Sequence, residues 1–338
     1  MSSSSMNNST VRTCSMAQAV REALDEEMAR DSSVFILGED IGKHGGALGV
    51  TAGLYKKYPD RVLDTPICEC GFTGLALGAA YAGMKPVVEL MFADFIGVIF
   101  DYLMNQATRN RYMTGMQEGG RDCCFVLRAP NGAGVRGGAQ HSQTVEQYLL
   151  PIPGLTVVAP SFPGDAKGLM KTALRGNDPV VFLENKLLFY KPMEIEDSSD
   201  LLVPIGKAKV IREGKDVTVV GTQFMLHKAL DAAEKLSKNR IDAEVIDLRT
   251  VKPLDTETIL ASVRKTGRLV LTNEGPTTGN IKAEIVCRVA EQAYNVLKAA
   301  PVRVCCPDTP IPFAPNLEDT WLIQSDDIAR GILKAMGK

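Results

Sequence analysis

Histidine is scarce in this chain, with three residues among 338. The eight cysteines (Cys14, Cys68, Cys70, Cys123, Cys124, Cys287, Cys305 and Cys306) lack the paired spacing of a zinc site. With so few histidines to help, even Cys68-Glu69-Cys70 makes a poor metal centre, and the thiols read as buried and reduced. That usage suits a reducing compartment, and the expected location is cytoplasmic. No apolar run approaches the roughly 20 residues of a spanning helix, so no membrane association is expected. An excess of one charge is also missing. With 38 basic against 40 acidic residues the formal net charge is -2, which offers no field for nucleic acid or an anionic membrane. The first thirteen residues, MSSSSMNNSTVRT, contain one arginine and no apolar core. They resemble neither a secretory signal nor a transit peptide, and residues 1–13 are read as a disordered tail.

What is present is a soluble globular mixture, 45% hydrophobic and 23% charged, at a length that suits two domains. The most informative stretch runs from Asp64 to Phe95. A β-prone run, Arg61 to Leu63, ends at Pro66, which cannot continue a central strand and biases its predecessor towards extended geometry. Glu69 follows at once. After it comes an uncharged segment with Gly74, Gly78 and Ala82 at four-residue steps, a helical face that admits close approach of another backbone. Pro86 to Met91 then reads as a buried strand. Glu69 is therefore expected at a strand end, opening a helix in apolar surroundings, where burial raises a carboxyl pKa and favours proton transfer. The plainer role open to it is favourable charge in a first helical turn.

The rest of the chain alternates strand and helix. Met16 to Ala29 is an amphipathic helix through Val20, Leu24 and Met28, and Ser33 to Gly38 is a buried strand. The loop Gly42 to Gly49 is rich in glycine but lacks the Walker spacing, so a phosphate loop is not assigned. Ala93 to Gln106 reads as a helix, Asp122 to Arg128 as a strand. Four glycines in the nine residues before His141 make a core histidine improbable there and leave either a site residue or an idle loop residue. Strands at Leu155 to Pro160 and Pro179 to Glu184 flank a helix at Asp165 to Leu174. Repeated strand-helix-strand order implies parallel sheets with crossovers, hence α/β architecture. Polar, acidic Lys191 to Asp200 reads as a linker, and the alternation restarts at Val217. The expected domains are 14–190 and 202–338, joined by 191–201.

The motif DTPICE, its Gly/Ala helix and ELMFADF resemble the β subunits of the thiamine-diphosphate-dependent, decarboxylating component of 2-oxo acid dehydrogenase complexes. The resemblance continues through DAKGL, EVIDLRTVKPLD, KTGRLV and DTPIPFAPNLED, over roughly residues 14 to 335. It implies two doubly wound domains, a transketolase-like pyrimidine-binding domain followed by a transketolase C-terminal-like domain. It implies that Glu69 hydrogen-bonds the cofactor's aminopyrimidine and controls its tautomer, while Met91 and Phe95 line the pyrimidine. It also implies that His141 handles substrate or the incoming lipoyl group, which suits an imidazole that titrates near neutrality. A structural monovalent cation, potassium, is implied on backbone carbonyls at positions matching Phe125, Ala173, Gly176 and Asp178. Gly176 stands where the family usually has an acid, and Asp178 where it has an Asn.

The family's Mg²⁺ and diphosphate need a Gly-Asp-Gly stretch, and none occurs in the chain. The resemblance therefore implies half a cofactor site here, completed by an α subunit in an α₂β₂ assembly that serves a lipoyl acyltransferase core. The expected reaction is oxidative decarboxylation of pyruvate with reductive acylation of the lipoyl group. RAPNGAG leans that way, whereas GGALGVTAGLY and ELMFADFIGV lean towards acetoin dehydrogenase, the alternative. A non-catalytic scaffolding subunit would not need Glu69, Met91, Phe95 and His141 together, and a single-chain transketolase-like enzyme would need the missing motif.

Overall fold

Short β-branched runs become buried parallel strands, because crossover helices cover both faces of a parallel sheet. The computed structural model describes residues 11–114, 123–196, 198 and 200–338. A short strand β1 (Val11–Cys14) precedes β2 (Val34–Gly38), β3 (Val62–Asp64), β4 (Lys85–Glu89), β5 (Val126–Asn131), β6 (Thr156–Val158), β7 (Val180–Asn185) and β8 (Met193–Glu196). The second half adds β9 (Lys209–Arg212), β10 (Val217–Gly221), β11 (Ala243–Asp247), β12 (Thr250–Lys252), β13 (Leu269–Thr272) and β14 (Val302–Val304). One sheet runs in the order β12-β6-β7-β5-β4-β2-β3 and the other β14-β13-β10-β11-β9. Both are parallel except at β12 and β9, which pair antiparallel at an edge. Strands β2, β5, β7, β10 and β11 are buried along their whole length.

The helix Met16–Arg30 is closed by a capping box between Ser15 and Gln18. Its apolar stripe, Val20, Leu24 and Met28, shares a core with Ala166, Leu169, Met170 and Ala173 of the helix Pro163–Leu174. On its polar flank Glu26 and Glu27 meet Lys167, Lys171 and Arg175. The two halves of the chain are not separate in packing. Strand β12 joins the first sheet, and Leu248, Val251 and Ile259 share one core with Leu149 and Val157.

Three expectations change. Residues 11–13 belong to β1 and pair with β8 inside the expected linker, so tail and linker together form a two-stranded ribbon. The alternation Met193-Glu194-Ile195-Glu196 explains it, since Ile195 is buried against Cys14 and Ala19. Residues 1–10 lie outside the described residues. The segment 93–106 is a 3₁₀ turn at Ala93–Gly97 and a π-helical turn at Tyr102–Ala107, not one regular helix. There the Asp94 carboxylate accepts backbone N–H bonds from a distant loop. Finally, the strand expected from Asp122 begins at Val126 and continues to Asn131, with Asp122 outside the described residues. Among the described residues no helix is long and apolar enough to cross a membrane.

Candidate active site

Strands β2, β3, β4 and β5 are adjacent and parallel, so their C-terminal ends share one edge of the sheet. The chain passes first to β3 on one side of β2 and then to β4 on the other, and loops diverge at such a reversal to leave a crevice. Each of the four ends delivers a candidate residue. Glu39 follows β2, Glu69 follows β3, Met91 to Phe95 follow β4, and His141 lies in the loop after β5. The glycine-rich loop after Glu39 folds onto this edge. A Cβ at Gly46 would lie 2.6 Å from a Glu89 carboxylate oxygen, and the Gly42 N–H donates to Asp64 at 2.6 Å.

Glu69 is the first residue of the helix Glu69–Tyr81, preceded by Cys68, which makes no side-chain cap. It is half-buried, and among the described residues its carboxylate accepts no hydrogen bond. The burial expected of it belongs instead to Glu39, which is 7% exposed with one carboxylate oxygen unpartnered. Burial, then the Glu69 charge, then Asp40 raise the Glu39 carboxyl above its usual range. The glycine-rich loop turns back onto the end of β2, with the Gly46 N–H donating to the Asp40 carbonyl at 2.9 Å, whereas Ile67, two residues before Glu69, is 84% exposed.

His141 sits against two aromatic rings. Phe92 and Phe95 lie edge-on to it at 4.9 and 5.5 Å between centroids, with interplanar angles of 78° and 85°. Between those two phenylalanines, Asp94 accepts the Ser142 and Gln143 N–H groups at 3.1 and 2.9 Å. The Lys186 ammonium donates to the His141 carbonyl and lies 5.1 Å above the Phe92 ring. Burial lowers the Lys186 pKa. Below this level the fully buried Arg128 binds Glu89 at 2.6 Å and Glu184 at 2.8 Å, bracing β4, β5 and β7. Burial pushes the Glu184 carboxyl up to about 7, against the opposing pull of Arg128.

The open Glu69 carboxylate, the half-buried Met91 and Phe95 and the orphaned Glu39 oxygen fit an aromatic heterocycle that presents a hydrogen-bond donor. Among the described residues no group of three or more His, Cys, Asp and Glu could hold a metal ion. The four positions matched to the monovalent cation meet at one corner of the first sheet. Val180 N–H donates to the Phe125 carbonyl at 2.8 Å, and Gly176 N–H to that of Ala173 at 3.2 Å. The Asp178 carboxylate is drawn to Arg111 at 2.9 Å, so a cation there would rest on carbonyl lone pairs.

Sequence reasoning did not single out Glu39, Phe92, Asp94 or Lys186. Glu39 follows a strand just as Glu69 does, and that signal was available. Lys186 is 45 residues from His141, and no spacing rule joins them.

The chain matches the model "Transketolase, pyrimidine binding domain" over residues 12–191 and "Transketolase, C-terminal domain" over residues 206–328. It is 47% identical to the acetoin:2,6-dichlorophenolindophenol oxidoreductase subunit beta of Cupriavidus necator, over 96% of this chain and 98% of that one. Pyruvate dehydrogenase E1 component subunit beta-1 of Arabidopsis thaliana is 48% identical over 94% of this chain and 88% of its own length. The Rickettsia felis E1 subunit beta is 45% identical over 94% and 96%. Among solved structures, a split-gene transketolase described as an inactive beta4 tetramer superposes with a TM-score of 0.79 at 25% identity, over 96% of this chain and 98% of that chain. The fold, the two family models and these relatives agree, and the chain belongs to the thiamine-diphosphate-dependent, transketolase-like family, among the β subunits of the pyruvate and acetoin dehydrogenase type.

Proposed function

We propose that this chain supplies the pyrimidine half of a thiamine diphosphate site in a pyruvate dehydrogenase-type enzyme, acting with an α subunit as α₂β₂. The observation that carries the reading is that the segments bearing Glu69, Met91, Phe95 and His141 leave adjacent parallel strands at one sheet edge, in a chain with no Gly-Asp-Gly stretch. When bound, thiamine diphosphate supplies the electron sink for cleaving a bond next to a carbonyl. Glu69 offers its carboxylate to the pyrimidine ring nitrogen, and Met91 and Phe95 hold the ring and exclude water. His141, aligned by Phe92 and Phe95, moves a proton while the acyl group passes to a lipoyl sulfur on the acyltransferase core. Mg²⁺ and the diphosphate belong to the α subunit in this reading, and potassium rests on the carbonyls of Phe125, Ala173, Gly176 and Asp178. The solved neighbour, a split-gene transketolase described as an inactive beta4 tetramer, supports a divided site.

Acetoin cleavage is the second reading, favoured by the full-length similarity to the Cupriavidus subunit. Titration calorimetry on the isolated chain and on the chain reconstituted with an α subunit tests the divided site. Tight, Mg²⁺-dependent binding by the isolated chain sinks it. Turnover of pyruvate against acetoin by the reconstituted enzyme then separates the two substrates.

A further inference from the structure

The loop that ends at His141 is fastened from the other domain. Glu318, on the helix Pro315–Trp321, is fully buried and points its carboxylate into the loop. One oxygen accepts the Gly134 N–H at 2.8 Å, and the other accepts the Arg136 N–H at 3.1 Å and its guanidinium at 2.7 Å. The same guanidinium reaches Asp319 at 2.8 Å and the Pro315 carbonyl at 3.1 Å. Arg136 holds φ at 62°, a conformation that a β-carbon disfavours and that needs outside support.

This grip passes to His141 through one residue. Gly137 lies so close to His141 that a Cβ there would stand 2.8 Å from the His141 carbonyl oxygen and 3.1 Å from its Cβ. His141 N–H closes the turn onto the Gly138 carbonyl at 3.3 Å. A shift at Arg136 therefore reaches, through Gly137, the backbone and Cβ that carry the imidazole. We infer that Glu318 is a positioning residue, through which the C-terminal domain sets where the His141 ring stands against Phe92 and Phe95. Charge-assisted bonds to buried groups are among the stronger hydrogen bonds, and misplacement of a reacting group by about 1 Å costs up to about 10²-fold.

The inference rests on His141 acting in acyl transfer, and the test separates the two ideas. Glu318→Gln, Arg136→Gln and His141→Ala are assayed in the α-reconstituted enzyme, once with an artificial electron acceptor and once with lipoyl acceptor. The His141 ring resonance is recorded in the full chain, where loss of a signal in His141→Ala assigns it among three histidines. Glu318→Gln should move that resonance and lower the lipoyl-linked rate about 10–100-fold, with far less loss towards the artificial acceptor. Arg136→Gln leaves the buried carboxylate and its two backbone partners in place and should shift both readouts the same way, to a smaller extent. The double variant Glu318→Gln with His141→Ala should be no worse than His141→Ala alone. If His141→Ala shows no preference for the lipoyl assay, the acyl-transfer role is wrong, and the resonance alone then decides the positioning. A wild-type resonance in both Glu318→Gln and Arg136→Gln, or additive losses in the double variant, overturns the inference.

Discussion

Glu39 and Glu69 follow neighbouring strands, yet only Glu39 is closed off from water. The open carboxylate is the one able to meet a ligand, and the closed one feels its charge. If Glu69 bonds the cofactor as proposed, Glu69→Gln keeps the shape but loses that charge-assisted bond, and rates with artificial and lipoyl acceptors should both fall by on the order of 10²–10⁴-fold. Wild-type activity in either assay would remove Glu69 from the reaction. Because the Glu69 charge helps raise the Glu39 carboxyl, the same substitution should let Glu39 ionise at lower pH, visible as a downward shift of its carboxyl band in an infrared titration. An unmoved band would mean that burial and the Asp40 charge set it without Glu69. At this scale the sequence exposed what local chemistry determines: a strand stopped by Pro66, an acid, then an uncharged helix. It could not expose the Asp94 bonds to residues 142 and 143 or the Lys186 bond to His141, which exist only once the sheet brings separate loops to one edge.

Among the elements, the helix Glu69–Tyr81 shows two unlike faces. Phe72, Ala76, Leu77 and Ala80 are buried in the first core, whereas Gly78 and Ala82 are exposed and a Cβ at Gly78 would touch nothing within 4 Å. Gly78→Leu should therefore not harm the isolated chain. Leucine has the better helix propensity, by somewhat less than about 1 kcal/mol, so the melting temperature should hold or rise slightly. If the face packs against another subunit, the same side chain should cost the assembly about 1–3 kcal/mol by overpacking. Sedimentation of the reconstituted enzyme reads that cost, and an unchanged heterotetramer would place the contact elsewhere. Element type was legible where periodicity was regular, as for Met16–Arg30 and for β2, β4, β6 and β7, whereas the antiparallel edge strands β9 and β12 carried no such signal. It was misread where tertiary contacts decide, as at 93–106, and where Met-Glu-Ile-Glu carried a strand pattern inside an acidic stretch.

Across the whole molecule, buried acids line the seam between the domains. Asp247, at the end of β11, accepts the Ser161 hydroxyl at 2.9 Å and the Arg249 N–H at 3.1 Å, and its second oxygen has no partner. Arg249 in turn binds Asp165 at 3.0 Å. Glu146 accepts the Asn273 amide, and Glu274 accepts the Ala133 N–H. Burial is the leading cause in all three acids and pushes each carboxyl up to about 7, with the Asp165 charge adding to it at Asp247. A folded-state pKa raised above the unfolded value means that the native state binds the extra proton. Its contribution to stability is then complete below the unfolded carboxyl pKa and is lost as pH rises through about 7. Asp247→Asn mimics the protonated form at every pH. It should match the wild type near pH 4 apart from a constant offset, and gain on it by on the order of 1–3 kcal/mol by pH 8. Urea unfolding at several pH values between 4 and 8 measures the difference in slope. Parallel curves for Asp247→Asn and the wild type would show that Asp247 is ionised throughout, and that the seam holds a buried charge rather than a proton.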